Sequence, residues 1–509
     1  MSTPLAETLR SRPFSIMVEL VASGQKSEAA VLEIASNLAT VPEIVAGGIT
    51  SYAGGKVGQD PVRIGAAVRA RGLTPNIHVT CVNADRASLR QTLHTLKALE
   101  LFNIFAITGD WPMGSNEPPV FDLDSVQLIE LIASLRAQKG TPYHISGAVS
   151  PFKYQREDSL YQYLKLEKKI AAGLNMAITQ VGWDSRKFAE LKKYLDDRSL
   201  DIPVMGNVYV LSKRAAERMA TGTPPGCWAS PALVETLRKE SEAADGGLAA
   251  RLERAAMQVA TLKGMGYAGA YIGGTHSAAH ITRILKRAAE LEPTWQECAA
   301  QVQFGDPDGF YLDGPPAPKA TRTFLPMVLD TMGQTLPVPW SKDTSDTAGR
   351  RAMQALMAWI DRRPALAKAF ERFEFMGKRA VFGCEACGNC VLGSMSYVCP
   401  QTCPKQMRNG PCGGPFNGRC EVVDQPCVWV SVYQRADATD RVDDLKAFIP
   451  AADRKLKGTA SWINYFLGRD SRPGHPRPVD GSTAPKDPVR LVDHVRTEPP
   501  GTKKESTTA

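Results

Sequence analysis

Long apolar runs are missing from this chain. No stretch approaches the roughly 18 residues that suggest a membrane span, so contact with a membrane is not expected. Residues 1–12 carry Arg10 and Arg12 but no apolar stretch, so no secretory signal is expected. No block of lysine and arginine interleaved with aromatics occurs, and a net charge of +8 over 509 residues is mild. Nucleic acid is therefore not an expected partner. Cysteine is nearly absent outside one segment: of 11, only Cys81, Cys227 and Cys298 lie beyond residues 384–427. Without a signal, a reducing, cytoplasmic setting is expected, where such crowding points to metal ligation rather than disulfides.

What is present is the composition of a folded protein, 43% hydrophobic and 22% charged. The length exceeds one ordinary core and suits a large barrel plus a further module. From residue 14 to about 273, short apolar runs alternate with amphipathic stretches. The runs are 15–20, 43–48, 76–81, 103–108, 144–149, 176–182, 203–210 and 268–273. Between them Leu89, Leu93, Leu96 and Leu99 recur at helical spacing, as do Leu128, Leu131 and Leu135. Gly173 and Gly264 read as helix stops. A doubly wound sheet would share this alternation, but eight units in roughly 260 residues fit an α/β fold of the (β/α)8 TIM-barrel type better. We expect a barrel over 1–290, a helical connector over 291–377, a small cysteine-rich metal-binding domain over 378–450, and a segment over 451–509 ending in a Pro-rich, polar, disordered tail. Within the connector, residues 306–318 read as a Pro/Gly-rich loop and 350–373 as one helix, with Met353, Leu356, Met357, Ile360, Leu366 and Phe370 on its apolar face.

A barrel of this kind builds its site from strand C-terminal ends, which selects candidates. Glu19 closes the first strand, where it is either a general acid in a low-dielectric mouth or a solvated strand-end carboxylate. Asp110 follows the fourth strand in Thr108-Gly109-Asp110; Gly109 allows close backbone approach to a ligand, and a simple turn would use the same pair. His78 and Thr80 share the face opposite Ile77 and Val79. Gln180 ends the sixth strand with an amide able to donate and accept at the edge of a heterocycle.

These residues, in their order, resemble the methylenetetrahydrofolate reductases. The resemblance spans residues 14–284. It rests on Glu19, on Gly48-Ile49-Thr50-Ser51-Tyr52, on His78-Val79-Thr80-Cys81, on Thr108-Gly109-Asp110, and on residues 169–180, which run from Lys169 through Gly173 to Ala-Ile-Thr-Gln. It implies an oxidoreductase of one-carbon metabolism that interconverts 5,10-methylenetetrahydrofolate and 5-methyltetrahydrofolate, with FAD or FMN across the barrel mouth and NAD(P)H or a protein as electron donor. Glu19 and Asp110 would be catalytic, and with Gln180 would bind the folate. Thr50, His78, Thr80, Thr108, Gly109, Asp110, Ala148 and Lys169 would contact the flavin. The chain departs from the family at Leu20-Val21-Ala22-Ser23, at Thr108 in place of arginine, and at Ser150, Tyr154 and Gln162, several of which in typical members hold the adenine-dinucleotide half of FAD. That departure keeps two alternatives in play: a flavin-independent, folate-dependent methyl-transfer protein, and a redox adaptor with a non-catalytic barrel. Members of the family often form homo-oligomers.

The cysteines run Cys384-x2-Cys387-x2-Cys390-x8-Cys399-x3-Cys403-x8-Cys412-x7-Cys420-x6-Cys427. Three thiolates on one tight loop suit three corners of a 4Fe–4S cluster, and both Cys399 and Cys403, each followed by proline, qualify as the fourth ligand. The remaining four suit a zinc site or a second cluster, and two structural zincs would also use all eight. The surrounding wording, over about 45 residues, is similar to the cysteine-rich C-terminal domain found with methylenetetrahydrofolate reductases. In that setting the domain is associated with iron–sulfur chemistry and with electrons delivered by a redox partner.

Overall fold

The computed structural model describes residues 3–22, 27–50, 58–112, 118–315, 320, 324–336, 338–339 and 345–470. Ser51 and Tyr52, Ser23, part of the loop expected over 306–318, and the tail from 471 lie outside them.

Eight strands close into a barrel in sequence order, every neighbouring pair parallel. They are β1 (Ser15–Val21), β2 (Ile44–Thr50), β3 (Pro75–Thr80), β4 (Asn103–Ile107), β5 (His144–Val149), β6 (Met176–Thr179), β7 (Val204–Tyr209) and β8 (Gly269–Gly273). The alternation of side chains along a strand sorts each sequence into two layers. In β1, Ile16, Val18 and Leu20 pack outward under the helices, while Met17 and Glu19 point inward. In β3, Ile77 and Val79 face out and His78 faces in, as expected. The interior is filled by Met17, Ala46, Phe105, Met176, Ile178, Met205 and Tyr271, with Leu5 of the N-terminal helix Pro4–Ser11 in the same cluster. Buried packing therefore occupies the lower barrel and leaves the polar strand ends to form a mouth.

One helix expectation holds and one is corrected. The helix Leu248–Gly264 stops at Gly264 as expected, and a Cβ there would strike the Trp295 ring. The positive φ belongs to Gly266. The single helix expected over 350–373 is two, Ala348–Asp361 and Pro364–Phe382, because Pro364 cannot continue a helix from its N-terminal side but starts one well. Met357 and Ile360 are buried against Ile463, Tyr465 and Phe466, whereas Leu356 and Leu366 remain exposed. The second helix runs through the boundary expected at 377.

Residues 384–427, which carry the eight cysteines, have little regular structure: short turns at Leu392–Met395 and Pro400–Thr402 and isolated bridges from Arg419 to Phe416 and Pro426. Their packing comes from the helix that follows, Val428–Ala438, which lies on the barrel helix Arg156–Ala171. Tyr161 meets Trp429 edge-on at 5.4 Å, and Arg156 holds the Asp437 carboxylate through two nitrogens at 2.9 and 3.2 Å. No helix among the described residues is long and apolar enough to cross a membrane.

Candidate active site

The C-terminal ends of the strands open on a cavity of ≈ 440 Å³, within the roughly 300–1,000 Å³ of small-molecule sites. Glu19, Asp110 and Gln180 all line it, from β1, the β4 loop and the residue after β6. Thr50, His78, Ala148 and Lys169 line it too, as do Thr108 and Gly109. Thr80 is the exception among the predicted residues. It contributes nothing to the wall and stands behind Gly109, whose missing Cβ would sit 3.4 Å from it.

Local structure explains how each group is held. Gly109 has φ +92°, a conformation costly for any side chain, and this turns the chain so that Asp110 enters the mouth. His78 is buried edge-on against Phe105 at 4.6 Å, and burial lowers its imidazole to about 3, so the ring is neutral. Its Nδ1 lies 3.3 Å from the Thr50 hydroxyl. The Gln180 Oε1 accepts the Val181 amide at 2.9 Å, which leaves the oxygen a second lone pair beside the two N–H donors of its NH2. Thr108 uses its hydroxyl to accept the Ser125 amide at 3.1 Å, at the start of the helix Ser125–Lys139.

Several groups in the wall escaped the sequence reading. Asn207, Tyr209 and Tyr271 point inward from β7 and β8. Strand alternation was the available signal for all three. The Asn207 Oδ1 is buried with no hydrogen-bond partner among the described residues, an acceptor left for a ligand. Burial, and then the charge of Glu19, pushes the Tyr209 hydroxyl up to about 12. Burial, followed by the charges of Asp110 and Glu19, also pushes the Cys227 thiol up to about 12, so it is no thiolate near neutrality.

One side of the mouth is not barrel at all. Lys405, Pro411, Cys412, Gly413, Gly414 and Glu421, all from the cysteine region, line the same cavity. The barrel grips this segment by its carbonyls. Gln162 donates to Cys412 O at 2.8 Å, Lys165 to Pro411 O at 2.7 Å, and Lys153 to Gly413 O at 2.8 Å. A Cβ on Gly413 would lie 3.1 Å from the Ser150 hydroxyl. Nothing in the sequence pattern marks these pairs, which join positions some 250 residues apart.

The eight cysteines fall into two groups. Cys384, Cys387, Cys390 and Cys399 line one small cavity away from the mouth, which places Cys399 rather than Cys403 with the Cys-x2-Cys-x2-Cys loop. Cys403, Cys412 and Cys427 share the apolar cluster around Trp429, and the charge of Cys420 acts on Cys403. All eight thiols are free. Among the described residues, no three or more His, Cys, Asp or Glu side chains are drawn together tightly enough to hold an ion.

The comparisons with known proteins bear on both halves. Residues 23–258 match the family model described as methylenetetrahydrofolate reductase, and residues 363–455 the one described as methylene-tetrahydrofolate reductase C terminal. The 5,10-methylenetetrahydrofolate reductases of Salmonella typhimurium and Escherichia coli are each 27% identical over 154 residues, 30% of this chain and 49% of theirs. A probable methylenetetrahydrofolate reductase (NADPH) of Caenorhabditis elegans is 25% identical over 151 residues, 29% of this chain and 22% of its own. The chain thus spans about half the length, or less, of these relatives. A solved Clostridium thermocellum protein, titled as binding two copies of 5-methyl-5,6,7,8-tetrahydrofolic acid, superposes with a TM-score of 0.41 at 12% identity, over 57% of this chain and all of that one. That score is too low to weigh on fold or function.

Proposed function

This chain belongs to the methylenetetrahydrofolate reductase family, and on that premise we propose that it interconverts 5,10-methylenetetrahydrofolate and 5-methyltetrahydrofolate. The observation that carries the reading is the meeting of Glu19, Asp110 and Gln180 on one cavity at the C-terminal end of the barrel. In the reducing direction the one-carbon bridge opens to an iminium, and Glu19 protonates the nitrogen that leaves. Asp110 lends a negative charge to the cationic iminium, and the Gln180 NH2 donates to the pterin edge. In the reverse direction Glu19 takes that proton back.

The mouth fits a planar heterocycle. Phe105, Ile107, Ala148 and Ile178 give it an apolar floor, Thr50 and His78 stand at its side, and the Asn207 oxygen awaits a donor. Lys165 and Lys169 line its edge and would meet one phosphate group. A flavin held there would carry the hydride between the electron donor and the folate. Residues 411–414 lie against Ser150 and Gln162, the positions expected to hold a second nucleotide half. We therefore read the mouth as fitted to FMN rather than FAD, with NAD(P)H or a redox protein as donor. The two groups of four thiols have the chemistry of two all-thiolate sites, each able to take zinc or a 4Fe–4S cluster.

The same intrusion favours a second reading, in which the barrel binds folate without flavin and serves methyl transfer. One experiment separates the two: anaerobic purification, a visible spectrum with iron and zinc analysis, and conversion of 5-methyltetrahydrofolate followed with and without added FMN. Bound or bindable flavin with turnover supports the reductase. Folate binding with neither flavin nor turnover overturns it in favour of the second reading.

A further inference from the structure

We propose that Lys405, carried by the cysteine-rich region, is a positioning residue of the barrel's active site. It acts on Gly109 and Asp110 and is itself aimed by Glu421. The proposal deepens the reading of the mouth as a folate site and rests on it.

The barrel leaves a gap here. Gly109 has no side chain, and the Thr108 hydroxyl is taken up by the Ser125 amide. The strand end that presents Asp110 thus holds no cation of its own on residues 108 and 109. Lys405 arrives from 296 positions away, and its Nζ donates to the Gly109 carbonyl at 2.8 Å. That carbonyl belongs to the peptide joining Gly109 to Asp110, so fixing it fixes the plane from which the Asp110 side chain departs. With φ at +92°, Gly109 is the residue least able to hold that plane by itself.

Glu421 keeps the ammonium in place. The two side chains form an ion pair, each only 3% exposed. The Glu421 carboxylate in turn lies flat against Gly414, where any Cβ would collide with it. The Lys405 Nζ also stands 5.9 Å over the Phe121 ring, which stacks on Trp111, the neighbour of Asp110. Lys405, Glu421, Gly109 and Asp110 all line the same cavity. The pair therefore does more than join two parts of the chain. It completes one wall of the mouth and orders the loop that carries a carboxylate to the substrate.

The test uses the full-length chain and compares Lys405→Met, Lys405→Arg and the double variant Lys405→Met/Glu421→Gln. The double variant covers the case where an unpaired buried Glu421 prevents Lys405→Met from folding. Hydrogen exchange is read at residues 109–111 and at Cys81, whose amide donates to Thr108 O. Steady-state rates are read with 5-methyltetrahydrofolate. The methionine variants should exchange about tenfold faster at these amides while β5 stays as protected as in the parent. They should lose about 10- to 100-fold in kcat with KM within about twofold, and Lys405→Arg should recover most of both. Unchanged exchange in the double variant, or an arginine no better than methionine, overturns the proposal even if turnover is intact. If the parent shows no folate turnover, the functional reading falls, and the exchange result still decides whether Lys405 orders the loop.

Discussion

The Asp124 carboxylate receives Asn409 twice, from its backbone amide at 3.0 Å and its side-chain amide at 3.1 Å. The same carboxylate accepts Arg408 N at 3.1 Å and, through its other oxygen, caps the helix Ser125–Lys139 at Val126 N and Gln127 N. One fully buried acid thus starts a barrel helix and anchors the cysteine-rich region. Asp124→Ala removes the cap, worth about 1 kcal/mol, and strands buried amides at about 1–3 kcal/mol each. We expect a loss of about 3 kcal/mol or more and cleavage by limited proteolysis within 384–450 before the barrel. Uniform destabilisation, with no early cut there, would count against this anchoring role.

Glu19→Gln keeps the shape of the side chain and removes its proton chemistry. Folate binding should stay within a few-fold of the parent, because the cavity walls are unchanged. The rate of 5-methyltetrahydrofolate conversion should fall about 10²- to 10⁴-fold, the usual range for a lost general acid or base. Isothermal titration alongside rate measurement separates the two quantities. A variant that keeps its rate would remove Glu19 from the proton path.

The two cysteine groups should differ in what they do to the mouth. Cys387 lines only the remote cavity, whereas Cys412 lines the barrel mouth itself and its carbonyl accepts from Gln162. On the proposal that both groups of thiols ligate metal, Cys387→Ser and Cys412→Ser should each lower bound metal and the melting temperature, since ligation would contribute folding energy. Only Cys412→Ser should also weaken 5-methyltetrahydrofolate binding. Equal effects of the two on folate affinity would show that the groups are not separated in this way.

How much of this was readable beforehand depends on the range of the interaction. The eight strands were legible because each is a short aliphatic run whose alternation faces two different layers; β2 was read as 43–48 and ends at Thr50 because the β1 pairing continues to Val21. Glu19, Asp110 and Gln180 were legible because strand ends are where a barrel puts its site. The broken helix at Pro364 was readable in principle, but the apolar spacing on either side outweighed one proline. Lys405 and Glu421 were not readable. In sequence they are a polar residue beside Pro404 and one beside Cys420, and their meaning comes only from a fold that brings 405 to 109. The same holds for Thr80, which lies against Gly109 and does not line the cavity.

The helix Arg156–Ala171 holds a charge that costs stability rather than supplying it. Lys168 is fully buried, and its Nζ has no hydrogen-bond partner among the described residues. Burial lowers its amine to about 7; the charge of Asp124 raises it in part and that of Lys165 lowers it further. Lys169, whose amine donates to Ala148 O, is lowered to about 7 as well, again mainly by burial. The unfolded chain binds these protons below about 10.5, the ordinary lysine value. Between pH 10.5 and 7 the unfolded state therefore holds more protons than the folded one. Stability falls as pH drops through that window, by up to about 1.4 kcal/mol per pH unit for each lysine. Below pH 7 both states are protonated and the full cost remains. Lys168→Met should stabilise the protein at pH 7 by an amount on the order of 3–5 kcal/mol, set by about 1.4 kcal/mol for each pH unit of the window, with the gain shrinking toward pH 10.5 as the parent amine becomes neutral in both states. Denaturant midpoints measured from pH 7 to 10 test this. A variant less stable than the parent at pH 7, or one with the same slope against pH, would mean that Lys168 is satisfied in solution by a partner the fold alone does not supply.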